Sequence, residues 1–64
     1  MKVNGEEITL KEAAALQTCL EQLGYNTDKI AVERNGSIVP KSMYKECILS
    51  DSDTLEVVHF VGGG

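Results

Sequence analysis

The residues of this 64-residue chain that could carry chemistry are three glycines at its end, two cysteines and one histidine. Gly62, Gly63 and Gly64 directly follow an apolar stretch. Glycine loses more backbone entropy on ordering than any other residue, so folding does not explain the run. A tail without Cβ atoms can enter a narrow channel in another protein, and its terminal carboxylate is open to attack once activated. The tail indicates a carrier whose working group is the carboxylate of Gly64, with an incidental frayed terminus as the alternative.

The cysteines and the histidine form no recognisable catalytic or metal-binding set. A nucleophile needs a general base beside it, and no sequence pattern pairs His59 with one. A structural zinc site takes four ligands and a ferredoxin-type cluster takes four cysteines, whereas this chain offers Cys19, Cys47 and His59. We therefore expect no enzyme and no metal site. Cys19 should be a small buried residue, His59 should have a structural or surface role, and the role of Cys47 stays open.

Length and composition also favour a small carrier or binding module. A domain of this size buries only ~60% of the surface that its unfolded chain exposes, which leaves little room for a deep substrate pocket. Ten acidic and six basic residues give a net charge of −4, and the basic residues are scattered singly, unlike those of nucleic-acid-binding proteins. Without a disulfide framework, a membrane-spanning stretch or a signal peptide, the sequence predicts a cytoplasmic protein that binds neither nucleic acid nor membrane.

The elements that must position the tail include two hairpins. Asn4-Gly5 and Asn35-Gly36 favour type I′ turns, because these turns need positive φ at both central residues. Alternation of apolar and polar residues predicts the flanking strands, and the longest apolar run of the chain predicts a closing strand. We expect strands at residues 1–3, 7–8, 30–33, 38–39 and 55–61.

One main helix is predicted between the two hairpins. Thr9 and Glu12 fit a capping box, in which each side chain bonds the backbone N–H of the other residue. Good helix formers follow, and Gly24 stands where a left-handed residue commonly ends a helix. A single later turn of helix is expected over residues 42–47, with Ser42 as its cap. An apolar stripe at helical spacing comprises Ala13, Leu16, Cys19, Leu20 and Leu23.

This order of elements predicts an α+β domain of the ubiquitin-like β-grasp class, with a mixed sheet of four to five strands packed on one main helix. The domain should span residues 1–61, with the first and last strands parallel at its centre, and residues 62–64 should form a flexible tail. Because side chains alternate along a strand, Val58 and Phe60 should point away from the helix. Together with Val61 they are predicted to form a docking patch for partners. The alternatives are ordinary surface scatter or a bulge that turns Phe60 inward.

Four segments carry a resemblance to a known family: Val3-Asn4-Gly5-Glu6, Val32-Glu33-Arg34-Asn35-Gly36, Ile38-Val39-Pro40-Lys41 and Val61-Gly62-Gly63-Gly64. On these segments the sequence resembles the ThiS family, the sulfur carrier proteins of bacterial thiamine biosynthesis, along nearly its whole length. One turn departs from the family pattern, because Asp51-Ser52-Asp53 stands where the family usually has Asp-Gly-Asp. That difference affects the expected turn type and not the tail.

The resemblance implies a reaction carried out by partner enzymes. A ThiF-like adenylyltransferase would use ATP and Mg to adenylate Gly64, and a sulfurtransferase system fed by a cysteine desulfurase would convert the adenylate into a thiocarboxylate. A ThiG-like thiazole synthase would accept that sulfur for the thiazole ring of thiamine. The carrier itself would bind no cofactor. A sulfur carrier for molybdopterin or cysteine, a ubiquitin-like protein modifier, and a plain interaction module with an incidental tail are the alternatives.

Overall fold

The computed structural model describes residues 1–60, and Val61 to Gly64 lie outside the described residues. The strands are β1 (Lys2–Val3), β2 (Glu6–Glu7), β3 (Ala14–Ala15), β4 (Ile30–Arg34), β5 (Ser37–Val39), β6 (Ile48–Leu49) and β7 (Thr54–His59). The α-helix, α1, spans Leu16–Gln22, and short 3₁₀ turns span Thr27–Lys29 and Lys41–Met43. None of the helices within residues 1–60 is long and apolar enough to cross a membrane.

Five of the strands form one mixed sheet, in the order β2-β1-β7-β4-β5. β1 runs parallel to β7, with Lys2 beside Thr54 and Val3 beside Leu55, and the other neighbouring pairs of this sheet are antiparallel. The predicted α+β class, the ubiquitin-like β-grasp topology and the central pairing of the first and last strands are therefore confirmed. β7 lies between β1 and β4 and is hydrogen-bonded on both sides.

Both Asn-Gly turns have the predicted backbone. The φ angle is 51° at Asn4 and at Asn35, 85° at Gly5 and 86° at Gly36. These angles lie in the left-handed region that a type I′ turn requires, which asparagine and glycine tolerate best. Ser52 does not have a positive φ, so the third turn accepts serine where the family usually has glycine.

The helix begins later than the sequence predicted, at Leu16. The predicted capping box of Thr9 and Glu12 is wrong, because the N-cap residue is Ala15, in an extended conformation and without a side-chain cap. Backbone carbonyls of a later segment satisfy the first helical N–H groups instead. The Leu16 N–H donates to the carbonyl of Cys47 at 2.7 Å, and the next N–H donates to the carbonyl of Tyr44 at 2.9 Å.

Pairing between distant segments explains the difference. Ala14–Ala15 forms β3, which pairs antiparallel with Ile48–Leu49, a strand that the sequence pattern did not indicate. Alanine favours a helix by propensity, but tertiary contacts commonly override propensity. As a result, Ala13 is exposed and does not belong to the apolar stripe.

The end of the helix matches its prediction. Gly24 has a φ of 88° and donates its N–H to the carbonyl of Glu21 at 3.0 Å. The N–H of Tyr25 donates to the carbonyl of Leu20 at 3.0 Å. This pair of bonds is the Schellman motif, in which a left-handed residue ends the helix. The later 3₁₀ turn follows Pro40, so the predicted cap at Ser42 is wrong.

The core lies between α1 and one face of the sheet. In β7, Leu55 and Val57 are buried while Glu56 and Val58 are exposed, so the strand alternates as predicted. Cys19 is 3% exposed on the helix, which confirms its predicted burial. The buried apolar side chains are Met1, Val3, Leu16, Cys19, Leu20, Ile30, Val32, Tyr44, Leu49, Leu55 and Val57.

A buried carboxylate ties the second hairpin to the start of β7. Asp53 is 5% exposed and accepts hydrogen bonds from the Ser50 N–H at 2.8 Å, from Asn35 Nδ2 at 2.9 Å and from the Arg34 guanidinium at 3.2 Å. The Oδ1 atom of Asn35 in turn accepts from the Thr54 N–H at 2.9 Å. Burial by itself raises the pKa of Asp53, but these donors outweigh burial and hold the pKa below its usual value.

We expect the folded state to lose the stabilisation from Asp53 in acid. Because the pKa of Asp53 is lower in the folded than in the unfolded chain, its contribution is complete above the unfolded value of about 3.9 and disappears as the pH falls through the folded pKa. Urea unfolding of the wild type and of Asp53→Asn, at several pH values from neutral to strongly acidic, measures the contribution of this carboxylate to the free energy of unfolding. The difference in unfolding free energy should be largest at neutral pH and shrink in acid; a constant difference would contradict the prediction.

Candidate functional site

The candidate site is the place where the chain leaves the sheet at the end of β7. His59 is the last residue of the strand and lies in register with Ile30 of β4. One residue further, the Phe60 N–H donates to the carbonyl of Lys29 at 2.9 Å. The chain is therefore held to β4 up to the last residue that the structure describes. The predicted tail residues Gly62, Gly63 and Gly64, and the predicted docking residue Val61, lie beyond it.

Asn4 holds β7 from the opposite side. Its Oδ1 accepts from the Val57 N–H at 2.7 Å, and its Nδ2 donates to the Val57 carbonyl at 3.2 Å. β1 ends at Val3, so the Asn4 amide continues the pairing of β7 in the manner of one more peptide group. The sequence pattern identified Asn4 only as a turn residue, and its side-chain bonds depend on the neighbouring strand.

An aromatic contact lies at the same end of the sheet. The rings of Tyr25 and His59 have centroids 5.4 Å apart and planes inclined by 38°. The Tyr25 hydroxyl is also within 3.5 Å of Asn4 Nδ2. His59 is exposed, in agreement with its predicted structural or surface role. This contact packs the imidazole at the end of β7 on the ring of Tyr25, a residue that follows α1 in the sequence.

The outer face of the sheet carries exposed apolar side chains. Val58 and Phe60 are each 61% exposed, which confirms that they point away from the core and that no bulge turns Phe60 inward. Ala31 lies in register with Val58 on the next strand, and Ile38 on the edge strand is 66% exposed. The exposure of this patch is a finding, whereas its role in docking stays a prediction.

The two cysteines form no disulfide with each other. Both are free thiols, Cys19 buried in the core and Cys47 half-buried in the segment before β6. Burial raises the pKa of the Cys19 thiol, which keeps it neutral and unreactive. Within residues 1–60, no group of three or more histidine, cysteine, aspartate or glutamate side chains is arranged to hold a metal ion.

Comparison with known proteins identifies the family that this sheet and tail resemble. A protein-family model described as the ThiS family matches residues 1–64. The crystal structure of the thiamine biosynthesis protein ThiS from Geobacter metallireducens has the same fold, with a TM-score of 0.83 at 27% identity over 98% of this chain and 96% of that one.

Two relatives differ in how much of their length this chain covers. The sulfur carrier protein ThiS of Bacillus subtilis is 37% identical over 65 residues, which span 100% of this chain and 98% of that protein. The thiazole synthase of Paramagnetospirillum magneticum is 45% identical over 62 residues, which span 97% of this chain. This chain covers only 19% of that thiazole synthase, so the similarity is to one segment of a much longer protein.

We expect the Asn4 side chain to control the local stability of β7. Asn4→Gly keeps the positive φ accessible but removes both bonds to Val57, which should lower the unfolding free energy by about 1–2 kcal/mol. Native-state hydrogen exchange should show a larger loss of protection at the Val57 amide than at the Leu16 amide. The Leu16 amide is a suitable reference because it donates to the carbonyl of Cys47 and not to Asn4. Equal losses at the two amides would show that Asn4 acts only on global stability.

Proposed function

Because this chain belongs to the ThiS family, we propose that it is a sulfur carrier for thiamine biosynthesis and that it acts through partner enzymes in the cytoplasm. The observation that carries the proposal is the full-length similarity to the sulfur carrier of Bacillus subtilis, combined with the same fold as a solved ThiS protein. The position of the glycines supports it further, since only Phe60 and Val61 separate them in sequence from β7, the central strand of the sheet.

The working group in this proposal is the carboxylate of Gly64. A carboxylate is ionised and unreactive towards nucleophiles at neutral pH, so it must first be activated. The ThiF-like adenylyltransferase joins it to the AMP portion of ATP and releases pyrophosphate, with Mg bound by that enzyme. Sulfur from a donor fed by a cysteine desulfurase then displaces AMP and leaves a thiocarboxylate. The ThiG-like thiazole synthase accepts the sulfur and releases the carrier with its carboxylate restored.

The contribution of this chain is to present the tail. β7 is held by β4 on one side and by β1 and Asn4 on the other, so the tail leaves from a fixed point. Gly62 and Gly63 have no side chains that could obstruct a narrow active-site channel. Val58 and Phe60, followed by Val61, provide apolar contact area beside the exit. In this proposal the carrier supplies no catalytic residue, cofactor or metal ion of its own.

The decisive experiment is the intact mass of the protein after incubation with Mg-ATP, the cognate adenylyltransferase, a cysteine desulfurase and cysteine. Replacement of one carboxylate oxygen by sulfur should increase the mass. Oxidation adds nearly the same mass, so the control is a variant that lacks Gly64, in which the increase should disappear. If an active adenylyltransferase produces no mass increase that depends on Gly64, the sulfur-carrier proposal is wrong.

Val58→Asp should weaken binding to the adenylyltransferase while leaving the thermal midpoint nearly unchanged. The side chain is 61% exposed, so the aspartate remains solvated in the free carrier but is desolvated in an apolar interface. Ile48→Asp is the matched control, because Ile48 is also an exposed strand residue but lies in β6, outside the five-stranded sheet. Titration calorimetry and thermal unfolding measure the two effects. Equal loss of binding in both variants would contradict the assignment of the docking face.

A further inference from the structure

Two carboxylates face each other on the outer side of the sheet. Glu33 of β4 and Glu56 of β7 are cross-strand partners in the antiparallel ladder, and both are exposed. Side chains at such positions have Cβ atoms about 4.5–5.5 Å apart, and like charges placed there destabilise the sheet. A folded domain with a small core thus carries an avoidable repulsion at the centre of its open face.

The described chain supplies no direct ion-pair partner for these two carboxylates. Neither Glu33 nor Glu56 takes part in an ion pair within residues 1–60. Arg34, the neighbour of Glu33 in sequence, points to the other face and binds Asp53. Lys2, in register with Thr54, lies on the same face diagonally from Glu56, but it forms no ion pair with Glu33 or Glu56. The pair therefore presents two carboxylates to solvent without a direct ion-pair partner.

The surroundings of the pair are apolar. Ile38 lies directly across from Glu33 on the edge strand, and Val58 and Ala31 form the next row of the same face. Phe60 follows at the exit of the tail. The exposed fractions of Ile38, Val58 and Phe60 are 66%, 61% and 61%. A partner that covers these side chains also covers the carboxylates, and it must then neutralise them, because unpaired buried charges are costly.

We propose that Glu33 and Glu56 together bind one cationic side chain of the protein that docks on this face, flanked by its apolar contacts with Ile38 and Val58. An arginine fits best, because its planar guanidinium can donate to two carboxylates at once. The inference rests on the proposed function and deepens it by naming the chemistry of the partner surface: an apolar recess with an arginine at its edge. The net charge of −4 supports attraction to such a surface.

The inference predicts that removing the two charges makes the free carrier more stable but makes it bind its partner more weakly. The double variant Glu33→Gln/Glu56→Gln removes the repulsion in the free carrier and should raise its thermal midpoint by about 1–4 °C. It also removes the carboxylates that bind the cationic side chain of the partner, so the Kd for the cognate adenylyltransferase should rise roughly tenfold. The salt dependence of binding should become weaker as well. A variant that merely damaged the sheet would lower both stability and affinity.

The control is Glu12→Gln/Glu46→Gln, which makes the same change in charge at two exposed positions outside the sheet. Calorimetric titration at low and high salt compares wild type, variant and control, and ATP–pyrophosphate exchange checks that the wild-type carrier is adenylated. If the wild type is not adenylated, the proposed function fails. If it is adenylated but the two double variants bind equally well and with equal salt dependence, the carboxylate pair has no role in recognition.

Discussion

The attachment of β7 to both of its neighbours is the constraint on which the rest of this small domain depends. Two asparagines perform part of that attachment, one from each Asn-Gly turn. Asn4 binds both backbone groups of Val57, and Asn35 binds the Thr54 N–H and the buried carboxylate of Asp53. Each residue thus adopts the left-handed conformation of its turn and also uses its amide to fix the last strand. The apolar core alone is marginal at this size, so these polar contacts add to it by fixing the strand at its first residue, Thr54, and at Val57.

The features predictable from sequence were those set by local chemistry. The Asn-Gly dipeptides predicted both hairpins because few other residues accept positive φ, and alternation along β7 predicted the exposure of Val58 and Phe60. Gly24 marked the end of the helix for a related reason. In contrast, the predicted start of the helix was wrong. Residues 14–15, which were expected to be helical, form β3 and pair with a strand more than thirty residues later in the chain. Propensity cannot anticipate a backbone partner that only the tertiary structure supplies.

The same distinction applies to the candidate site. Composition and position singled out the glycine tail, and strand periodicity singled out the apolar patch. The pairing of Glu33 with Glu56 requires the register between β4 and β7, and the amide contacts of Asn4 require the parallel neighbour of β1. Neither follows from the pattern of residues along one strand. Electrostatic features of this face therefore emerge only when the strands are aligned.

The central position of β7 also has a mechanical consequence. A force applied at the C-terminal end of this strand would load its hydrogen bonds to β1 and β4 simultaneously, in shear along the strand, rather than open them one after another. The parallel pairing with β1 places the two strands so that they would have to slide past each other as a unit. A pull along the strand at this end is therefore resisted by both neighbouring strands at once.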